Sequence, residues 1–259
     1  MPADLTPDAG RIDLWCTYIS DLGNEALWPR YDALISAEER ATQARFRFAK
    51  DRRRYLITRA LVRTVLSRYR AVPPQRWTFS MGPHGRPAIA ITHSCPLEFN
   101  ISHSADLVML GITSDRTLGI DVESMEAREV DVDGLDRYFA PQERAALLAL
   151  PPPARRRRFF ELWTLKESYI KARGMGLAIP LDAFRFELTG EQGLTLHMRP
   201  DLGDAPERWR LWQLTLRAHY LAAVCAARGG ETSPRLTLRE VVPLVSEKIV
   251  EITLARATD

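Results

Sequence analysis

Lysine is nearly missing from this 259-residue chain. Only Lys50, Lys166, Lys171 and Lys248 carry an ammonium, and the other 32 of the 36 basic residues are arginine. So broad a preference reflects overall composition, and a site that resists it draws interest. Lys166 and Lys171 lie within one short segment, and an ammonium is a compact, rotatable donor that a planar guanidinium does not imitate. Cysteine is also sparse. Cys16, Cys95 and Cys225 are odd in number and far apart, which argues against a disulfide framework or a zinc site and suits a reducing cytoplasm. No stretch approaches the roughly 20 apolar residues a membrane span needs. The first residues, Met1 to Gly10, carry acids and no basic-then-apolar pattern, so no signal peptide is expected. A net charge of +3 is too small to mark a nucleic-acid binder. There is no Walker-type glycine-rich loop and no Gly-x-Ser-x-Gly elbow.

What is present suffices for a sizeable core: 46% of the residues are hydrophobic and 27% charged. Ser36 followed by Glu39 reads as a capping box opening a helix, and the spacing of Leu61, Val62, Val65, Leu66 and Tyr69 predicts a second helix over about 51–69. Pro73-Pro74 ends it. Trp77, Phe79 and Met81 alternate as a strand should, and Gly82-Pro83-His84-Gly85 reads as a turn. Short apolar runs at 107–112, 118–123 and 220–227 predict buried strands. Pro141 suits the first turn of a helix to about Leu150. Pro151-Pro152-Pro153 breaks the chain, and 159–172 reads as a strong helix. A hairpin is expected over 184–198. Each half thus has a long helix, a strand-turn-strand stretch and a short apolar strand. That pattern predicts an α+β fold of two similar subdomains meeting near 114–118, divided as 1–116 and 117–259, the second carrying a C-terminal tail.

Four segments could carry chemistry. In the strand Leu118 to Glu123, side chains alternate between faces. Leu118, Ile120 and Val122 then face a core, while Asp121 and Glu123 stand together on the other face beside Gly119, whose missing side chain leaves room for a ligand. Two such carboxylates suit Mg²⁺, which takes hard oxygen ligands; an exposed acidic strand face would read the same way. On the helix 159–174, Trp163, Glu167 and Lys171 lie one above another. A metal for Glu167 and a phosphate for Lys171 is one chemical answer, and a surface ion pair is the plainer one. Lys166 points to a different side of that helix and fits a structural role. Around Asn100 to Ser104, the hydroxyls of Ser102 and Ser104 with the His103 imidazole suit a phosphate, although a lone histidine is often structural. The turn around Arg86 adds one positive charge, and the run Arg155 to Arg158 could steer an acidic partner or simply be solvated.

The order of these segments is more telling than any one of them. The Gly85-Arg86-Pro87 turn, Asn100-Ile101-Ser102-His103-Ser104, Gly119-Ile120-Asp121-Val122-Glu123 and Trp163 to Lys171 follow one another in that sequence. The chain resembles the surfactin-type 4′-phosphopantetheinyl transferases, whose pattern is a Gly-Lys/Arg-Pro turn, an Asn-Ile-Ser-His-Ser segment, a Gly-Ile-Asp-x-Glu strand and a Trp-x-x-Lys-Glu-Ser/Ala-x-x-Lys helix. The match runs from about Ser36 to about Phe184. The resemblance implies two pseudo-symmetric α+β halves with the active site in the cleft between them. It implies Mg²⁺-dependent transfer of phosphopantetheine from coenzyme A to a serine of an apo acyl or peptidyl carrier protein, the holo-[acyl-carrier-protein] synthase reaction, with Mn²⁺ as a possible replacement ion. Asp121, Glu123 and Glu167 would hold the metal. Glu167 would also be the general base, directly or through a metal-bound water. Lys171 would hold the diphosphate. Ser102 and His103 would bind phosphates, and Arg54, His84 and Arg86 would line the nucleotide end. A cytoplasmic monomer with no membrane or nucleic-acid partner is expected, and apolar residues between Val130 and Leu150 are candidates for carrier docking. The departure from the pattern is at Glu38 to Thr42, where some relatives carry phosphate-binding lysines and this chain offers Arg40 and Arg45. The alternatives are another Mg²⁺-dependent phosphoryl transferase or hydrolase acting on a nucleotide, and a non-catalytic protein that binds coenzyme A or a carrier protein.

Overall fold

The computed structural model describes residues 5–8, 10–23, 26–82, 84–114, 116–126, 138–217, 219–229 and 234–258. In chain order the elements are β1 (Arg11–Tyr18), α1 (Leu27–Asp32), α2 (Ala37–Ala44), α3 (Ala49–Tyr69), β2 (Phe79–Met81), β3 (Pro87–Ile89), β4 (Leu97–Ser104), β5 (Leu107–Ser114) and β6 (Leu118–Ser124). There follow α4 (Pro141–Leu148), α5 (Pro152–Arg173), β7 (Phe184–Thr189), β8 (Gly193–Met198), β9 (Trp209–Leu216), β10 (Tyr220–Ala227), β11 (Arg235–Val242), β12 (Ser246–Val250) and β13 (Thr253–Ala257). The strands form a five-stranded sheet ordered β12-β11-β1-β5-β4 and a six-stranded sheet ordered β6-β10-β9-β13-β8-β7, with β2-β3 as a small ribbon. The order strand, long helix, hairpin, two long strands occurs twice, once from β1 to β5 and again from β6 to β10. The fold is α+β, built from this repeated unit.

Period-two alternation sorts the strand residues into three cores. Val108, Leu110 and Ile112 of β5 pack with Leu61, Val65 and Leu66 of α3. Leu221, Ala223 and Cys225 of β10 pack with Leu162, Leu165 and Tyr169 of α5. The opposite faces meet between the sheets: Ile12 and Leu14 of β1, Leu107 and Met109 of β5, Ile120 and Val122 of β6, and Leu214 and Val224 of β9 and β10. The layers therefore run helix, sheet, sheet, helix. Strands β5 and β10 are covered on both faces, which explains their largely apolar character.

The helix ends follow local chemistry. Ser36 accepts from the Glu39 N–H at 3.2 Å and Glu39 accepts from the Ser36 N–H at 2.9 Å, the capping box read from the sequence. The prolines at 151–153 do more than break the chain. Pro152 opens α5, so this helix begins seven residues before the expected start at 159, as a proline without an N–H is suited to do. Gly174 ends it with φ +66°, a conformation that favours glycine.

The C-terminal tail departs from the expected division. The division at 116–117 assigns it to the second subdomain, yet β11 pairs in parallel with β1, Arg11 against Arg235 through Cys16 against Glu240. Only β13 joins the second sheet, against β9 and β8. No described helix is long and apolar enough to cross a membrane.

Candidate active site

Strand β4 is one edge of the first sheet, β6 is one edge of the second, and the two lie side by side. Main-chain bonds do not join them. Side chains do. Asn100 Oδ1 accepts from the Ile120 N–H at 3.0 Å, Ser102 Oγ from Val122 at 3.2 Å and Ser104 Oγ from Ser124 at 3.0 Å. Alternate residues on β4 thus satisfy alternate amides on β6, which would otherwise be unpaired at a buried edge.

Helix α5 closes the seam from the second half. Its approach depends on Gly119: a Cβ there would stand 2.1 Å from the Ser168 carbonyl oxygen and 2.2 Å from the Ala172 nitrogen. The room beside Asp121 is taken by the helix and not by a ligand, contrary to the expectation for this glycine. This contact brings Glu167 and Lys171 over β6. Together with β4, the Arg86 turn and Thr58 of α3, they line a cleft of about 500 Å³. His84, Arg86, Ser102, His103, Asp121, Glu167 and Lys171 all face it. Arg54 and Glu123 are not among its lining residues.

Asp121 is buried and lies at the centre. Its Oδ1 receives Lys171 Nζ at 2.7 Å and Ser102 Oγ at 2.9 Å, while its Oδ2 is buried and has no hydrogen-bond partner. Lys171 thus pairs across the seam with Asp121, which replaces the surface pair with Glu167 that helix spacing allowed. Lys171 also donates to Ser102 Oγ at 3.0 Å. With the Val122 amide, this uses both acceptor positions of that hydroxyl, and its proton goes to Asp121. Ser102 is therefore occupied in fastening the seam. Glu123 accepts from Ser104 Oγ at 2.7 Å. Burial pushes the Glu167 carboxyl above its ordinary pKa, and the charges of Asp121 and Glu123 push the same way against Lys171.

These residues suit a hard divalent cation. Carboxylates close enough to repel one another, and a buried carboxylate oxygen with no donor, are stabilised by a positive ion with oxygen preference. As the side chains stand, no three His, Cys, Asp or Glu among the described residues converge closely enough to ligate one. Asp121 Oδ1 is held by Lys171, so ligation would require that pair to open.

The basic residues divide by what they touch. Arg86 donates to the carbonyls of Lys171 and Ala172 at 3.2 Å and of Leu118 at 3.0 Å, so it pins the end of α5 to β6. Arg54 pairs with Asp51 at 2.9 Å. The His103 imidazole is held below its ordinary pKa, first by crowding from the cleft walls and then by Arg54 and Lys171. Lys166 is fully buried. It pairs with Glu143 at 2.8 Å and donates to the carbonyls of Leu181 and Phe184, which gives it the structural role its position suggested. The Arg155–Arg158 run is spent locally: Arg155 bonds Leu150, Arg156 bonds Met125, and Arg157 and Arg158 bond Glu161. Arg40 pairs with Asp32. Of the segment proposed for carrier docking, 130–137 lie outside the described residues, Phe139 and Leu147 are buried, and Leu148 is exposed.

Comparison with known proteins places this geometry. Residues 117–225 match the 4′-phosphopantetheinyl transferase superfamily and residues 24–114 match the N-terminal region of a 4′-phosphopantetheinyl transferase. A 4′-phosphopantetheinyl transferase of Bacillus subtilis is 33% identical over 76% of this chain and 84% of its own length. HetI of a Nostoc species, of the same description, is 31% identical over 88% and 93%. The chain belongs to the 4′-phosphopantetheinyl transferase superfamily. A solved holo-[acyl-carrier-protein] synthase from Thermotoga maritima aligns with 45% of this chain and 66% of its own at 21% identity and a TM-score of 0.37, a likeness too partial to add weight.

The segments that carry the resemblance meet at the seam: Asn100 to Ser104 lies in β4, Gly119 to Glu123 in β6, and Trp163 to Lys171 in α5. The sequence reading marks neither Asn100 nor Thr58 as a site residue, and it gives Ser104 to a phosphate where the structure gives it to Glu123. The signal for Asn100 is present, since Asn100, Ser102 and Ser104 recur with the period of a strand. Thr58 carries no such signal, because its place in the cleft depends on how α3 packs on the first sheet.

Proposed function

We propose that this protein transfers the 4′-phosphopantetheine group of coenzyme A to a serine hydroxyl of an apo acyl or peptidyl carrier protein, releasing 3′,5′-ADP. The observation that carries this reading is a set of mutually repelling carboxylates, buried Asp121 with half-buried Glu123 and Glu167, beside Lys171 at the seam between the two halves. Asp121, Glu123 and Glu167 would hold Mg²⁺, or Mn²⁺ in its place. Such an ion supplies charge neutralisation for the diphosphate and for the phosphate monoester that departs.

The chain's own residues do the rest. Lys171, released from Asp121, binds the diphosphate as a point charge and stabilises the departing 3′,5′-ADP. His103 would donate to a phosphate, His84 and Arg86 of the cleft wall would border the nucleotide end, and Arg54, outside the lining, would act there through its charge. Glu167, on the helix beside the reacting phosphate, would take the serine proton. The serine oxygen forms a bond to the β-phosphorus of coenzyme A, and the bond from that phosphorus to the oxygen of the departing 3′,5′-ADP breaks. Positioning and charge account for the acceleration. One chain already supplies both walls of the cleft, so the working unit is read as a monomer acting on coenzyme A and carrier protein in the cytoplasm.

The test is intact-mass spectrometry of an apo carrier protein after incubation with this protein, coenzyme A and Mg²⁺. The expected result is a gain of one phosphopantetheine arm, abolished by EDTA and slowed by about 10²–10⁴-fold in Glu167→Gln. A protein that binds coenzyme A but modifies no carrier from fatty-acid, polyketide or peptide synthases would be a non-catalytic binder. Full activity in Glu167→Gln would remove that residue from the mechanism.

A further inference from the structure

The seam between the two sheets does more than hold them together. Each of its two serine hydroxyls is oriented by an amide. The Ser124 N–H donates to Ser104 Oγ at 3.0 Å, which commits that oxygen as an acceptor and turns its own proton toward Glu123 Oε2, 2.7 Å away. A hydroxyl donating to a carboxylate at this distance makes one of the stronger kinds of hydrogen bond. Ser102 does the same for Asp121 but also touches Lys171. Ser104 touches only the β6 amide and Glu123 among its side-chain bonds, so its effect can be separated from phosphate binding.

We propose that Ser104 is a positioning residue: the Ser124 amide orients its hydroxyl, and the hydroxyl fixes the Glu123 carboxylate for binding a divalent cation. The inference rests on the reading of Asp121, Glu123 and Glu167 as metal ligands. A carboxylate on an edge strand with a free side-chain torsion must lose rotamer freedom when a metal binds. One held beforehand has already lost part of it. Residues that orient metal ligands typically contribute about 10–100-fold to metal affinity. The position also fits the geometry of the seam: the bond starts and ends on β6, so the orientation of Glu123 is referred to the strand that carries Asp121.

The experiment is a titration of Mn²⁺ into the purified protein with saturating coenzyme A, reading free Mn²⁺ by electron paramagnetic resonance. It uses the wild type, Ser104→Ala, Ser104→Thr and Glu123→Gln, each checked for folding by thermal melting. The proposal expects Ser104→Ala to bind Mn²⁺ at least about tenfold more weakly and Ser104→Thr, which keeps the hydroxyl, to recover most of the affinity. A merely structural serine would lower the melting temperature in Ser104→Ala and leave Mn²⁺ affinity as in the wild type. That result, with Glu123→Gln weakened, would overturn the role of Ser104 alone. No Mn²⁺ binding by the wild type, or none lost in Glu123→Gln, would overturn the metal reading itself and this inference with it. Should Ser104→Ala fail to fold, Ser104→Cys, a weaker donor, is read in its place: weakened Mn²⁺ binding supports the proposal and unchanged binding overturns it.

Discussion

The His103 imidazole stands between opposed influences. The cleft walls, Arg54 and Lys171 hold its pKa below the ordinary 6.5, while its own backbone bond and Asp121 work the other way. Near neutral pH the free protein therefore keeps this ring uncharged. A phosphate beside it would favour the imidazolium and raise the pKa. The bound state then holds more protons than the free state, so binding takes up a proton and tightens as pH falls. Calorimetry of coenzyme A binding between about pH 6 and 7, where histidine normally titrates, in two buffers of different ionisation enthalpy, should show proton uptake in the wild type. His103→Gln should bind more weakly and without that uptake. Equal proton uptake by both proteins would place the phosphate away from this ring.

Among the elements, α5 and β6 set the site by their distance, and Gly119 sets that distance. Adding a methyl group there forces its Cβ into the Ser168 carbonyl and the Ala172 nitrogen, both backbone atoms of a packed helix. Gly119→Ala should therefore displace Glu167 and Lys171 from Asp121 and lower turnover by about 10²-fold, the scale expected for an ångström of misplacement. Carrier modification rates checked against thermal melting will separate this from simple unfolding. The opposite side of α5 is fixed by Lys166 and Glu143, whose carboxylate also accepts from the Ala140 and Phe186 amides. Burial lowers the lysine's pKa and raises that of the glutamate. Lys166→Met would leave a buried carboxylate without its cation and should cost about 3–5 kcal/mol in urea unfolding, much of it recovered in the double variant with Glu143→Gln. These elements also mark how far the sequence could be read. Helices α3 and α5 and strand β6 announced themselves by period and apolar content, and Asp121, Glu123, Glu167 and Lys171 by motif. The use of Gly119 could not be read, because it depends on which backbone crosses it. Nor could the pairing of Lys171 with Asp121, since helix spacing offers Glu167 first and only the meeting of two sheet edges supplies the other partner.

At the level of the whole molecule the tail does what neither half does alone: β11 and β12 extend the first sheet and β13 enters the second. Little in the sequence announced this. Strand β1 is covered on both faces and lacks alternation, and its partner lies more than two hundred residues away. The joint is ionic as well as hydrogen-bonded. Arg239 of β11 is buried, meets Asp13 at 2.7 Å and lies over the Trp15 ring. Asp13 also accepts from Tyr69 at 2.6 Å and from Arg11 at 3.0 Å. Further bonds run from Tyr31 to the Pro243 carbonyl and from Thr17 to that of Val241, and Arg68 pairs with Glu247. Arg239→Met keeps the apolar stem over Trp15 and removes the charge, leaving Asp13 two of its three partners. The cost should fall near the low end for a broken buried pair, about 3 kcal/mol. For a chain of this size that is a fall in melting temperature of roughly 6–12 °C. Because the tail is shared between sheets, calorimetry should show the whole transition moving down as one. A separate early transition in the variant, with the main peak unmoved, would mean that β11 and β12 are peripheral to the cleft. The tail would then be dispensable for activity.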